Sequence, residues 1–166
     1  MHPAELPIPE LLKQCEVVRT RRSGPGGQHR NKVETAIVLT HLPSNLQVEA
    51  SERRSQAENL DAAADRMRRT LAIVVRTMRE SDTIPSALWR SRLRGTRVEV
   101  NGEHADYPAL LAESLDVLAQ TDWNVSETAP LLRTTTSQLV RFWKKEPHAL
   151  VRVNDERARR GLGKLE

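Results

Sequence analysis

The sequence predicts an α+β fold: a small, mainly antiparallel sheet with one long packed helix, followed by a small helical region. Three observations lead there. Short segments rich in β-branched residues recur within the first 50 positions, at 16–21, 35–41 and 46–50. Apolar residues then step by three and four from Leu60 through Ala63, Met67, Leu71 and Val74 to Met78. Beyond residue 105, helix-start signals precede clusters of leucine.

In chain order, residues 6–15 read as a short helix after two prolines, Pro7 and Pro9. Val17, Val18 and Thr20 mark the first strand. Ser23, Gly24, Pro25, Gly26, Gly27 and Gln28 can only be a loop. The second strand, 35–41, and the third, 46–50, flank Leu42-Pro43-Ser44-Asn45 and form a hairpin. Ser55-x-x-Glu58 matches a capping box ahead of the long helix. Its second face carries Arg66, Arg68, Arg69, Arg76 and Arg79, expected as a solvated helix face. Asp82, Pro85, Gly95 and Asn101-Gly102 mark residues 81–105 as a linker, with one short strand at 97–100. This gives a first module at 1–80 and a helical region at 106–166 ending in a short, mildly basic tail. In that region Asp106, Asn124-x-x-Glu127 and Thr135-x-x-Gln138 open three helices, and Pro147 stops the third.

The 166 residues hold 26 Lys+Arg against 22 Asp+Glu, a net charge of +4. Residues 13–100 carry +7 of it, 1–12 carry −2 and 101–166 carry −1. Arginine outnumbers lysine 21 to 5, and its planar fork suits phosphate, although a GC-rich genome inflates arginine as well. With three Trp, one Tyr and one Phe, the core is expected to be mostly Leu, Val and Ala. No apolar run approaches the roughly 18 residues of a membrane span, and residues 1–15 lack the apolar stretch of a secretory signal. Cys15 is alone, which excludes a disulfide framework, and the five His show no metal-ligand spacing. The expectation is a cytoplasmic monomer with no cofactor, no metal and no membrane contact.

The loop at 23–28 holds three of the seven glycines inside a collar of Arg19, Arg21, Arg22, Arg30 and Lys32. A Walker loop needs Gly-Lys, and Lys32 follows no glycine. The dinucleotide fingerprint needs a third glycine where His29 stands. What remains is a backbone that approaches a substrate closely in a cationic setting, or a surface loop whose arginines are incidental.

The run from Arg22 to Lys32 (Arg-Ser-Gly-Pro-Gly-Gly-Gln-His-Arg-Asn-Lys) resembles the Gly-Gly-Gln signature of class I peptide chain release factors. The resemblance continues through Thr40-His41-Leu42-Pro43 and the Glu52-Arg53-Arg54-Ser55-Gln56-Ala57-Glu58-Asn59 stretch, and covers about residues 16–79. It implies a catalytic domain that enters the ribosomal peptidyl transferase centre and hydrolyses the peptidyl-tRNA ester. Gly26, Gly27 and Gln28 are then the catalytic positions, and Arg19, Arg21, Arg22, Arg30 and Lys32 contact rRNA and tRNA phosphates. The partners implied are the ribosome, peptidyl-tRNA and a methyltransferase acting on Gln28. Only 15 residues precede the first strand, which points to the codon-independent, stand-alone branch of the family, active in release or ribosome rescue. That branch ends in a Lys/Arg-rich tail, whereas residues 152–166 here sum to +2.

The region from Trp123 to Lys145 also resembles a helix-turn-helix of the Fis type. Arg133 takes the place of the usual glycine, and Pro130 interrupts the first helix. Its helices either pack around Leu118, Leu131, Leu139 and Trp143 or present Arg141, Lys144 and Lys145 to nucleic acid. The alternative function is therefore a nucleic-acid-binding regulator on a catalytically idle release-factor fold.

Overall fold

The computed structural model of the chain describes residues 1–21 and 34–166. They form two compact units: Leu6–Leu71, and Met1–Glu5 together with Ala72–Glu166.

In the first unit a short helix α1 (Ile8–Leu12) precedes three strands, β1 (Cys15–Thr20), β2 (Ala36–His41) and β3 (Leu46–Ala50). The sheet is antiparallel in the order β1-β2-β3, with Cys15 opposite His41, Thr20 opposite Ala36 and Ile37 opposite Ala50. As the central strand, β2 buries Ala36, Ile37, Leu39 and His41. Asn45 closes the hairpin turn at φ 55°, a conformation asparagine tolerates better than most residues. Helix α2 (Gln56–Val74) starts as expected: the Ser55 hydroxyl accepts the Glu58 N–H at 3.4 Å. Small residues, Ala63 and Ala64, are buried beside Met67 and Leu71.

Two expectations for that helix fail. It ends at Val74 rather than Met78, which is 83% exposed. Arg76 and Arg79 therefore lie beyond the helix, and neither is on a solvated face. Arg68 is buried as well. The reason for Arg76 and Arg79 is found in the second unit.

That unit is built on helix α4 (Tyr107–Gln120), in which every residue from Tyr107 to Leu118 is buried. Around it lie short helix α3 (Ala87–Ser91) and a hairpin of β4 (Leu93–Arg94) with β5 (Arg97–Val98). Helices α5 (Val125–Leu131), α6 (Thr136–Trp143) and α7 (Pro147–Ala158) follow. All five aromatics of the chain belong here, so the expected Leu/Val/Ala core needs correction in this unit. Phe142 meets Trp89 edge-on at 5.5 Å and Tyr107 at 5.0 Å between ring centres. Three polar handles have buried partners: Trp89 Nε1–H donates to the Leu132 carbonyl, Trp143 Nε1–H to Ser114 Oγ, and Tyr107 O–H to the Phe142 carbonyl.

A polar stripe, Glu113, Asp116 and Gln120, runs along α4 at helical spacing. Asp116 is 1% exposed and accepts from the Thr77 N–H, the Thr77 hydroxyl and Arg79 Nε, with Arg76 Nη1 at 3.2 Å. Gln120 pairs with both the N–H and the carbonyl of Arg79. Glu113 accepts the N–H and hydroxyl of Ser86. The chain after Val74 thus lies along α4 instead of continuing the helix. Residues 81–105, expected as a linker, hold the fully buried Trp89 together with α3, β4 and β5.

Two corrections concern the C-terminal end. Pro147 occupies the first turn of α7, where its missing N–H costs nothing. Residues 152–158 are therefore helical, not tail. Arg133 takes the glycine conformation, φ 53°, in a Schellman closure: Thr134 N–H reaches the Ala129 carbonyl and Arg133 N–H the Pro130 carbonyl. A non-glycine residue there costs about 1–2 kcal/mol.

Replacing Asp116 with alanine removes the carboxylate that faces Arg76 and Arg79, leaves the Thr77 N–H without its partner, and is expected to cost about 3–5 kcal/mol. A urea melt checks this. A loss under about 1 kcal/mol would show that the stripe does not hold the segment.

His2 supplies a pH test. It is 1% exposed; Nδ1 accepts the Ala4 N–H and Nε2 donates to the Val75 carbonyl, so the ring is neutral. Burial lowers its pKa, against the partly opposing pull of the Val75 carbonyl. The unfolded chain therefore binds the proton first. The stability His2 contributes is present above pH about 6.5 and is lost as the pH falls below it. The melting temperature of the native chain should fall more steeply from pH 7 to pH 5 than that of His2→Gln; parallel curves would refute this.

Candidate functional site

Of the expected site residues, Arg22, Gly26, Gly27, Gln28, Arg30 and Lys32 lie outside the described residues, and Arg19 and Arg21 lie within them. The two roots of the glycine segment are described in full. Thr20 faces Ala36 in the register, so the chain leaves β1 and re-enters β2 one strand spacing apart, about 4.8 Å. Residues 22–33 therefore span from one end of a paired hairpin back to the same end.

The start of α2 braces this point. Asn59 is fully buried and makes three bonds: Nδ2–H donates to the carbonyls of Thr35 (2.6 Å) and Arg53 (3.0 Å), and Oδ1 accepts the Arg53 N–H at 2.9 Å. Gln56 Nε2 donates to the Glu34 carbonyl, and Gln56 Oε1 accepts from Arg19 Nε at 3.0 Å. One side chain thus links β1 to the residue that follows the glycine segment. Arg66 holds Glu52 at 2.8 Å and donates to the Glu49 carbonyl. Burial pushes the Glu52 carboxyl up, but bonds from the Ser51 and Glu52 N–H groups and from Arg66 outweigh it, and its pKa falls.

Arg19 is thus engaged with Gln56. Arg21 Nε stands 3.6 Å from Glu34, with both side chains more than half exposed. Such a pair contributes about 0–1 kcal/mol and exchanges readily for a phosphate. Two reactive groups near the sheet have other roles. Burial raises the Cys15 thiol pKa, which keeps it protonated at neutral pH. His41 is bound at both nitrogens, by Ser44 Oγ and Gln14 Oε1, and burial lowers its pKa. Among the described residues no three His, Cys, Asp or Glu side chains are placed to hold a metal ion, and no helix is long and apolar enough to cross a membrane.

Gln56 and Asn59 were not singled out as site residues by sequence reasoning. The available signal was their position inside the Glu52–Asn59 stretch that carried the resemblance; side-chain amides leave no periodic mark.

The RF-1 domain profile matches residues 8–100. Peptide chain release factor PrfB1, chloroplastic, of Arabidopsis thaliana is 37% identical over 75 residues, 45% of this chain and 16% of that protein. Peptide chain release factor 1 of Xylella fastidiosa is 43% identical over 70 residues, 42% of this chain and 19% of the relative. Peptide chain release factor 2 of Acidovorax sp. is 32% identical over 133 residues, 75% of this chain and 34% of the relative. The chain thus spans about a third or less of the length of these curated relatives.

The brace yields its own test. Asn59→Ala leaves one buried donor and two acceptors unsatisfied and should cost about 2–4 kcal/mol in denaturant unfolding. A change within about 0.5 kcal/mol would mean that the loop root does not depend on Asn59.

Proposed function

The chain belongs to the RF-1 domain family, and from that premise we propose that it hydrolyses the peptidyl-tRNA ester on the ribosome without reading a codon. The observation that carries the proposal is Gly26-Gly27-Gln28 in a segment whose two ends are fixed at paired strands and braced by Gln56 and Asn59.

The chemistry suits these residues. The ester between a peptide and a ribose hydroxyl is already activated, so a placed water and a stabilised oxyanion suffice. The Gln28 main-chain N–H would donate to the developing oxyanion. Its side chain would admit water and disfavour bulkier nucleophiles. Gly26 and Gly27 would allow the backbone against the terminal adenosine, where a Cβ intrudes. Positioning in a dry cavity supplies much of the remaining acceleration. His29 fits an RNA phosphate better than a general-base role. Arg19, Arg21, Arg22, Arg30 and Lys32 would neutralise rRNA and tRNA phosphates. The proposal includes a cytoplasmic monomer whose partners are the ribosome, peptidyl-tRNA and a methyltransferase acting on Gln28.

A second reading, a DNA-binding regulator, is favoured by one observation. Helix α5, a turn through the left-handed Arg133 and helix α6 follow the order of a helix-turn-helix.

The deciding experiment measures peptide release on ribosome complexes whose mRNA ends at the P site, or continues with a sense or a stop codon. Release without a stop codon is the expected result; an absolute stop-codon requirement would overturn codon independence. Gly27→Ala should lower release at least about 100-fold with an unchanged melting temperature. Full release by that variant would remove the catalytic assignment.

A further inference from the structure

The helical unit holds a second cationic surface, around α6. Leu139, Val140, Phe142 and Trp143 face the core. Ser137, Arg141 and Lys144 lie outward at helical steps of four and three. On one flank, Arg97, Arg141 and Lys145 line a cleft of about 280 Å³ between β5 and α6. Glu99, the carboxylate in its lining, stands 3.9 Å from Arg97 Nε. On the other flank, Arg141, Lys144 and Lys164 line a cleft of about 570 Å³, with Glu166 the carboxylate there. Arg141 borders both, so the two clefts are one continuous surface carrying five cations and two carboxylates.

This surface is built. Lys145 Nζ donates to the Val100 carbonyl, and its nitrogen lies 5.9 Å from the centre of the Phe142 ring. Burial, and after it the neighbouring Arg97, lower its pKa. Lys164 is fixed because the Asn154 amide pairs with both the N–H and the carbonyl of Leu165, while Arg157 Nε donates to the Gly163 carbonyl. The side chains of Arg141 and Lys144 have no hydrogen-bond or ion-pair partner among the described residues.

We propose that this face, through Arg97, Arg141, Lys144, Lys145 and Lys164, is a second RNA-binding surface that takes the sugar–phosphate backbone. Recognition helices read bases with their N-terminal residues. The first turn of α6 offers Thr136, Ser137 and Gln138, while its long cations come at the C-terminal end. This pattern neutralises phosphates and accepts ribose hydroxyls more than it reads base edges. The choice of RNA over DNA rests on the ribosomal reading above.

The test uses the full chain and a labelled RNA duplex of about 16 base pairs, followed by fluorescence anisotropy over a salt series. A DNA duplex of the same sequence runs in parallel. Arg141→Gln with Lys144→Gln, both exposed, should weaken RNA binding at least about tenfold and reduce the salt slope by about one to two. RNA should also shield Lys144 and Lys164 from an amine-acylating reagent, read by mass spectrometry. An unchanged slope without shielding, or no RNA binding at all, overturns the proposal. Stronger shielding by DNA overturns the choice of RNA. Failure of peptide release with shielding intact would count against the hydrolase alone, and release without shielding against this surface alone.

Discussion

The second unit depends on a carboxylate that cannot be left alone. Asp116 has no route to water, and an ionised group in that position is tolerated only when its lone pairs are filled. Thr77 and Arg79 fill them by hydrogen bonds, with Arg76 beside them as an ion-pair partner, and the chain after Val74 lies along α4 instead of continuing the helix. Gln120 and Glu113 extend the same arrangement to residues 79 and 86. Arg79 also pairs with Glu5, so the N-terminal turn joins the network. A segment with four charged residues in twelve is thereby held in place, because a buried helix face meets its polar atoms.

This explains where the sequence was legible and where it was not. Strands showed through β-branched runs, and all three of the first sheet stand within about one residue of expectation. Caps showed through side-chain chemistry: Ser55 and Thr135 accept the N–H three residues on and Asn124 that of Ser126, while Asp106 opens its helix without a side-chain cap bond. Both signals are local. The segment at 75–86 has no local signal, since its partners are 27 to 41 residues away on α4. Pro147 marked the end of α6 but not the start of α7, for a related reason. Proline ends one helix and opens another with equal ease, and only Ala149 and Val153, both fully buried, tell which.

The glycine segment was legible as a motif, whereas its brace was not. Three glycines beside Gln28 are a linear signal, carried by residue type and order. The hold of Asn59 on Thr35 and Arg53 depends on the sheet register and on the start of α2 together. Arg133 shows the converse. Its place is that of the motif's usual glycine, but that an arginine keeps the glycine-like conformation there is visible only in the fold, where the Schellman closure overrides the residue's preference.

The arginine excess, which first suggests nucleic acid, divides once partners are assigned. Arg66, Arg76, Arg90 and Arg157 each donate to a main-chain carbonyl. Arg152, Arg159 and Arg160 surround Glu156, whose carboxyl they hold below its ordinary pKa, Arg160 foremost, through its hydrogen bond. These groups use the guanidinium fork as a structural clamp, a role lysine fills poorly because it is a point charge on a flexible stem. Net charge therefore overstates what is left for a partner in some places and understates it in others. Residues 101–166 sum to −1, yet the side chains of Arg141 and Lys144 have no ion-pair partner among the described residues, although Glu166 lines the same cleft. A field available to phosphate is set by unpaired cations, not by the sum over a segment. By that measure the helical unit, nearly neutral on paper, presents a basic face of its own.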